Sequence, residues 1–314
     1  MKIPDFKDVI NAHRLIGGFI HNTPVLTSSA INRITGSELF FKCENLQKTG
    51  AFKFRGACNA VFSLTDEQTS RGVCTHSSGN HAAALSLAAS IRGIKAHIVM
   101  PSNSSEIKKK AVEGYGGIIT HCEPTLEARE TTLHRIAEQT GAEIIHPYNN
   151  CNVIAGQATA AKELLELYPF LDLVMCPVGG GGLLSGTAIS AKSLSATCRV
   201  IAAEPSGADD AYRSFKAGYI IPSIHPITIA DGLRTSLGEI NFLIIKQLAD
   251  DIITVSEESI ILAMRLIWER MKIIIEPSSA VPLAVLLEKK DYFRDLKIGI
   301  ILSGGNIDLE NLPF

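Results

Sequence analysis

One lysine in this chain stands where an amine could act as a nucleophile. In Gly50-Ala51-Phe52-Lys53-Phe54-Arg55-Gly56 its side chain falls between two phenylalanines, with a glycine three residues away on each side. An ammonium held among apolar groups loses hydration, and its pKa falls toward neutrality. The neutral amine can then attack an aldehyde and hold it as a Schiff base. Taken alone, the same residues also describe an amphipathic lysine whose stem packs while its charge reaches water. A second stretch, Pro177-Val178-Gly179-Gly180-Gly181-Gly182-Leu183-Leu184-Ser185-Gly186, suits an anion. A buried strand runs into the glycines and then a helix. Glycines let backbone N–H groups approach an anion, and the helix start adds positive partial charge. The loop lacks the Gly-Lys-Ser/Thr of a Walker A motif and the Gly-x-Gly-x-x-Gly spacing of a dinucleotide fingerprint. Glu204 nevertheless lies 22 residues beyond Gly182. A dinucleotide fold keeps its ribose-binding acid near that distance, so an NAD-type reading stands beside the phosphate cradle.

Three polar clusters could complete a site. Ser77-Ser78-Gly79-Asn80-His81 combines hydroxyls, an amide and the free N–H groups of a helix start. That suits a carboxylate, although capping by Ser or Asn accounts for it equally. Ser303, in Leu302-Ser303-Gly304-Gly305-Asn306, ends a strand. A hydroxyl there points into the cleft of an open sheet, or simply begins a turn. Glu204-Pro205-Ser206-Gly207-Ala208-Asp209-Asp210 gathers three carboxylates. Hard cations such as Mg²⁺ or Ca²⁺ take such oxygens, often with a backbone carbonyl; a solvated acidic loop is the local alternative. The nine histidines form no His-Glu-x-x-His, and no Gly-x-Ser-x-Gly elbow is present. His97 and His225 read as structural.

The elements that must position these groups alternate. Helical patterns are expected over 5–17, 56–64, 82–91, 104–114, 125–139, 155–167 and 257–271. Strands are expected over 39–43, 72–76, 96–101, 117–120, 143–147, 171–178, 199–203, 252–255 and 297–302. This alternation predicts an α/β fold with two open twisted, mostly parallel sheets flanked by helices. The site belongs where the strand C-termini meet. One domain should be discontinuous, residues 1–66 joining 151–314, with 67–150 forming a smaller unit.

Composition narrows the partners. At 46% hydrophobic and 20% charged residues, the chain can bury a sizeable core. A net charge of −2 gives no reason to expect nucleic acid or an anionic membrane. No apolar run reaches the roughly 18 residues that span a bilayer. The start, Met1-Lys2-Ile3-Pro4-Asp5, lacks the apolar run of a secretory signal. The seven cysteines contain no Cys-x-x-Cys, so reduced thiols and a cytoplasmic location are expected.

Taken in order, these motifs resemble the fold-type II pyridoxal-phosphate enzymes (tryptophan synthase β-like). The resemblance is nearest to the serine/threonine dehydratase family, including its serine racemase and threo-3-hydroxyaspartate dehydratase branches. It covers essentially the whole chain. It rests on Glu44 to Gly56, Ser77 to His81, Gly179 to Gly182, Glu204 to Asp210 and Ser303 to Asn306. Thr228 to Gly232, Glu269 to Lys272 and Glu276-Pro277 add to it.

The resemblance implies that Lys53 carries pyridoxal 5'-phosphate, with Phe52 against the cofactor ring and Asn80 donating to its hydroxyl oxygen. Gly179, Gly180, Gly181 and Gly182 would take the phosphate, and Ser303 would face the pyridine nitrogen. Lys53 would take the α-proton on one face. Ser78 would return a proton on the other, because the racemase branch has serine there while many biosynthetic threonine dehydratases have alanine. Ser77, Ser78, Asn80 and His81 would hold the substrate carboxylate, reinforced by Arg129. Glu204, the carbonyl of Ala208 and Asp210 would bind a divalent cation (Mg²⁺, Ca²⁺ or Mn²⁺). The smaller domain would be mobile and close over a small hydroxy amino acid, and two copies would form a homodimer. The implied activity is serine racemase and L-serine (L-threonine) dehydratase, giving D-serine, or a 2-oxo acid and ammonia. The alternatives are threo-3-hydroxyaspartate dehydratase and a β-replacement enzyme of the same fold. The ATP-binding animal racemases carry a glutamine and a tyrosine where this chain has Ala83 and His121, so nucleotide activation is not implied. The chain ends soon after Asn306, and no C-terminal regulatory domain is expected.

Overall fold

The computed structural model describes residues 2–314; Met1, included in the first domain expected from sequence, lies outside the described residues. Among the described residues ten strands form two sheets. The strands are β1 (Val25–Leu26), β2 (Glu38–Cys43), β3 (Val73–His76), β4 (Ala96–Pro101), β5 (Gly117–Cys122), β6 (Glu143–Ile144), β7 (Leu173–Pro177), β8 (Arg199–Pro205), β9 (Asp251–Val255) and β10 (Lys297–Leu302). The six-stranded sheet runs β1-β2-β10-β7-β8-β9, and the four-stranded sheet runs β5-β4-β3-β6. Every pair is parallel except the short β1–β2 edge. Parallel strands need crossover connections, and helices supply them on both faces.

That burial explains the strand sequences. Leu173-Val174-Met175-Cys176-Pro177 is buried throughout, and Ile298 to Leu302 likewise. Covered on both sides, such strands read as continuous apolar runs rather than alternations. The helix Pro277–Glu288 was not legible for a related reason. It is buried nearly all round, so it has no polar face to reveal a helical period. The strand expected over 143–147 stops at Ile144. There His146 Nδ1 accepts from the N–H groups of Tyr148 (3.3 Å) and Asn149 (2.9 Å) and turns the chain.

Lys53 opens the helix Lys53–Phe62, which lies close against Cys151–Leu167. Glycines allow this approach. A Cβ on Gly156 would fall 2.5 Å from the carbonyl oxygen of Arg55, and one on Gly56 would fall 2.7 Å from that of Val153. Two residues beyond Lys53, Arg55 is wholly buried. Its Nε and Nη2 donate to Glu44 at 2.7 and 2.9 Å, and its Nη1 and Nη2 to Glu163 at 2.6 and 2.8 Å. Lys42, 1% exposed, donates to Glu163 at 2.6 Å and to the Thr23 carbonyl at 2.8 Å. Burial disfavours the guanidinium charge, yet Glu44 and Glu163 outweigh it and hold Arg55 above its ordinary range.

Removing one member of a buried ion cluster leaves the others uncompensated. Arg55→Met should therefore cost about 3–5 kcal/mol, read as a lowered urea midpoint with unchanged slope. A variant as stable as the parent would show that the cluster contributes nothing net.

Candidate active site

Because β2, β7, β8 and β10 are parallel, the segments that follow them emerge at one edge of the sheet. Residues 50–52 are stitched to the chain after β10. The N–H of Phe52 donates to the Ser303 carbonyl (2.9 Å), that of Gly305 to the Gly50 carbonyl (2.9 Å), and Ala51 and Gly304 form an antiparallel bridge. Lys53 is thereby delivered to the strand ends. Its Nζ donates to the Pro147 carbonyl at 3.0 Å and lies 5.1 Å from the Phe52 ring centroid and 5.9 Å from that of Tyr148. Part of the side chain retains surface, but the amine is enclosed by protein. Burial pulls its pKa down to about 8, against the opposing charge of Glu276.

The glycine run lies between β7 and the helix Gly182–Leu194. Gly181, at φ +91°, is the N-cap and offers no side-chain acceptor, so the first N–H groups of this long helix are left free for a ligand. Tyr148 fits against Gly180 so closely that an added Cβ would lie 2.4 Å from its ring. Gln157 is fully buried, and a Cβ on Gly182 would reach its Oε1 at 2.5 Å; neither amide atom of Gln157 has a protein partner. Ser303 is buried and lies 3.0 Å, Oγ to Oγ, from Ser279.

Ser77 and Ser78 are half-buried in the turn that enters the helix Asn80–Arg92. No side chain caps this helix either. Asn80 Nδ2 donates to both oxygens of Glu276 at 3.0 Å, and its Oδ1 accepts from Asn306 Nδ2 at 2.9 Å. The amide expected to meet a ring hydroxyl is therefore aimed at a buried acid. His81 turns inward: its ring is buried and its Nε2 lies 3.2 Å from the Ile145 carbonyl. Burial, and then the charge of Lys53, push its pKa down to about 3, so the ring is neutral. This leaves its backbone N–H, rather than its imidazole, on the side of the helix start. Arg129 is not joined to this turn by a hydrogen bond; its Nε donates to the Thr125 carbonyl of its own helix at 3.2 Å.

Glu204 and Asp210 are fully buried, and Ala208 lies between them. Glu204 accepts from the N–H groups of Ala211 (2.9 Å) and Tyr212 (2.8 Å). It therefore caps the helix Asp210–Ala217, which is not what a ribose-binding acid would do. Asp210 Oδ2 accepts from the Leu237 N–H at 3.3 Å, while its Oδ1 has no partner. Burial pushes Glu204 up to about 9 and Asp210 up to about 6. Among the described residues, no group of three or more His, Cys, Asp or Glu side chains is placed to hold a metal.

Residues 16–304, which include the enclosed lysine and the uncapped glycine run, match the model of the pyridoxal-phosphate dependent enzymes. The chain belongs to that family. It is 51% identical over 314 residues to a β-hydroxyaspartate dehydratase of Paracoccus denitrificans, covering 100% of both chains. It is 54% identical over 310 residues to a serine racemase of Dictyostelium discoideum, covering 98% of this chain and 96% of the relative. A crystal structure of serine racemase from Dictyostelium discoideum superposes with a TM-score of 0.94 at 55% identity, covering 98% of this chain and 99% of the other. The family membership and the capping role of Glu204 together set aside the NAD-type reading of the glycine run.

The residues present fit the family's cofactor. The low-pKa amine suits its aldehyde, the uncapped helix start suits its phosphate, and the unpartnered amide of Gln157 supplies a polar group beside that start. Glu276, Tyr148, Asn241 and Gln157 join the site without having been assigned roles from sequence. Glu276 is the most consequential: it is buried, burial pushes it up to about 7, and it is the acid beside both Asn80 and Lys53. The only local signal was the dipeptide Glu276-Pro277, which names no chemistry.

The pKa of Lys53 gives a direct test. Only the neutral amine adds to aldehydes, so trapping of Lys53 by a small aldehyde and borohydride in cofactor-free protein should rise with pH, half-maximal at about 8. Glu276→Gln removes a charge that favours the ammonium and should move the midpoint lower. A midpoint near the ordinary lysine value, read by peptide mass, would contradict the desolvation.

Proposed function

We propose that this chain is a serine racemase and L-serine/L-threonine dehydratase. The observation that carries the proposal is the enclosed Lys53 amine beside the uncapped glycine cradle, in a chain about half identical to relatives with these names. In this reading Gly179, Gly180, Gly181 and Gly182 would hold the phosphate of pyridoxal phosphate, Phe52 would pack on its ring and Lys53 would hold its aldehyde group. When bound, that cofactor supplies a sink for the electron pair that develops at the substrate α-carbon. The turn Ser77–His81 binds the substrate carboxylate through hydroxyls and free N–H groups, with Arg129 of the helix Leu126–Thr140 reinforcing it. Lys53, neutral above about pH 8, takes the α-proton at Nζ. Ser78 delivers a proton from the other face, which inverts the centre. Ser303 offers the ring nitrogen a hydroxyl rather than a carboxylate, which does not force its protonation. With such a ring the β-hydroxyl of a hydroxy amino acid would take up a proton and leave as water, and the resulting enamine would hydrolyse to a 2-oxo acid and ammonia.

Residues 67–150 form the smaller, mobile domain in this proposal, and 1–66 with 151–314 the larger. The four-stranded sheet falls wholly inside the former. Glu204, the Ala208 carbonyl and Asp210 bind the divalent cation. Two buried carboxyl groups, one with an unpartnered oxygen, support this, because a cation would remove the penalty of ionising them. Two copies would form a homodimer, and exposed side chains such as Leu46 and Ile274 offer apolar surface for it. The free cysteines suit a reducing cytoplasm. Among the described residues no helix is long and apolar enough to cross a membrane.

A second reading, 3-hydroxyaspartate dehydratase, is favoured by the dehydratase relative that matches over the full length. Assay of 2-oxo acid and chiral amino acid from serine, threonine and 3-hydroxyaspartate ranks the two. Release of 2-oxo acid without any added nucleophile excludes a β-replacement enzyme. Ser78→Ala should abolish D-serine formation while L-serine dehydration survives, since only inversion needs the second face. Equal loss of both would refute the two-face assignment. Treatment with EDTA should lower both the melting temperature and the turnover, and Mg²⁺ or Ca²⁺ should restore them. Indifference to chelation, with no ion found by elemental analysis, would remove the cation site.

A further inference from the structure

The short turn Pro147–Tyr148 touches both halves of the site. On one side the Pro147 carbonyl holds Lys53 Nζ at 3.0 Å. On the other, the Tyr148 ring is pressed against Gly180 in the glycine cradle. Two side chains fix the turn. His146 Nδ1 accepts from the N–H groups of Tyr148 (3.3 Å) and Asn149 (2.9 Å), so this nitrogen carries no proton. Burial, and then the charges of His76 and Lys53, keep the imidazole neutral, with its pKa at about 4. Its ring also meets Tyr148 edge-on, centroids 4.5 Å apart. Asn241, fully buried in the helix Glu239–Leu248, donates through Nδ2 to the Tyr148 carbonyl (3.0 Å) and the Gly180 carbonyl (2.9 Å). One amide group therefore ties the turn to the cradle. Asn149 Oδ1 accepts from the Ile240 N–H at 3.1 Å and anchors the far end of the turn to the same helix.

We propose that His146 and Asn241 are paired positioning residues. They brace the Pro147–Tyr148 turn as a strut between the Lys53 amine and the phosphate cradle, so that neither keeps its geometry without the other. The physical reason is that the turn has no regular secondary structure of its own. The N–H and the carbonyl of Tyr148 are satisfied by these two side chains instead, and a buried polar group that loses its partner forces the segment to move. The proposal rests on the reading that Lys53 and the cradle hold one cofactor.

Two probes separate the ends of the strut in cofactor-free protein. Pyridoxal, which lacks a phosphate, reports on Lys53 through the absorbance of its adduct. Inorganic phosphate, competing against pyridoxal phosphate, reports on the cradle. His146→Leu removes the acceptor, and His146→Asn keeps one, since an amide oxygen can accept from N–H groups two and three residues on. Asn241→Leu removes the double donor, and Asn241→Asp turns it into an acceptor facing two carbonyls. His146→Leu and both Asn241 variants should weaken both probes by about ten- to a hundred-fold, and His146→Asn should restore most of the loss. Effects confined to pyridoxal for His146 and to phosphate for Asn241 would overturn the strut, as would unchanged affinities. Should a leucine variant not fold, Asn241→Asp carries the test against the parent: weakening of both probes supports the strut, and unchanged affinities or an effect on phosphate alone overturn it. If the parent itself gains no chromophore with pyridoxal phosphate, it is the assignment of the cofactor to Lys53 that fails.

Discussion

The enclosure of one amine at Lys53 places demands on segments far apart in the chain. Phe52 and Tyr148 supply the apolar walls, the Pro147 carbonyl supplies a single acceptor, and Glu276 supplies the nearest opposing charge. Dehydrating an ammonium costs free energy that these contacts repay only in part. The site therefore has to be built by a rigid scaffold, and the surrounding elements do that work. The pairing of residues 50–52 with 303–305 fixes the backbone on which Lys53 stands. The same strand end places Asn306 between Thr49 and Asn80, so the segment leading into Lys53, β10 and the helix Asn80–Arg92 share one junction.

The buried ion cluster serves the same end from behind. Arg55 lies on the helix that begins at Lys53, and through Glu44 and Glu163 it binds that helix to the segment after β2 and to the helix Cys151–Leu167. Hydrophobic contact would hold these elements together without choosing their relative rotation. Directed bonds from one guanidinium to two carboxylates restrict that freedom. The close approach of Gly56 and Gly156 leaves little slack for any other arrangement.

Much of this was legible without coordinates. Phe52-Lys53-Phe54 and the run Gly179 to Gly182 carry chemistry that depends on residue type and local backbone alone, and the alternation of apolar runs with helical segments reports a parallel sheet. What stayed hidden depends on contact across the chain. Asn241 reads as an ordinary polar residue in a helix, and its double hydrogen bond to Tyr148 and Gly180 exists only because the helix Glu239–Leu248 docks beside the cradle. Glu276, the N-cap of the helix Pro277–Glu288, and Asn80, which opens the helix Asn80–Arg92, are separated by 196 positions. The end of β6 at Ile144 was equally out of reach, since it depends on the imidazole of His146 taking two N–H groups.

By itself the sequence determined the family and the two-sheet architecture, and it marked out the apolar-flanked Lys53 and the glycine run before a helix, because each is written in neighbouring residues. The tertiary structure decided the protonation of that amine, the inward turn of His81, the engagement of Asn80 with Glu276 and the brace between Lys53 and the cradle. These depend on desolvation and on hydrogen bonds between distant segments. Both are properties of an enclosed volume, and the linear order of residues does not reveal which of them will enclose it.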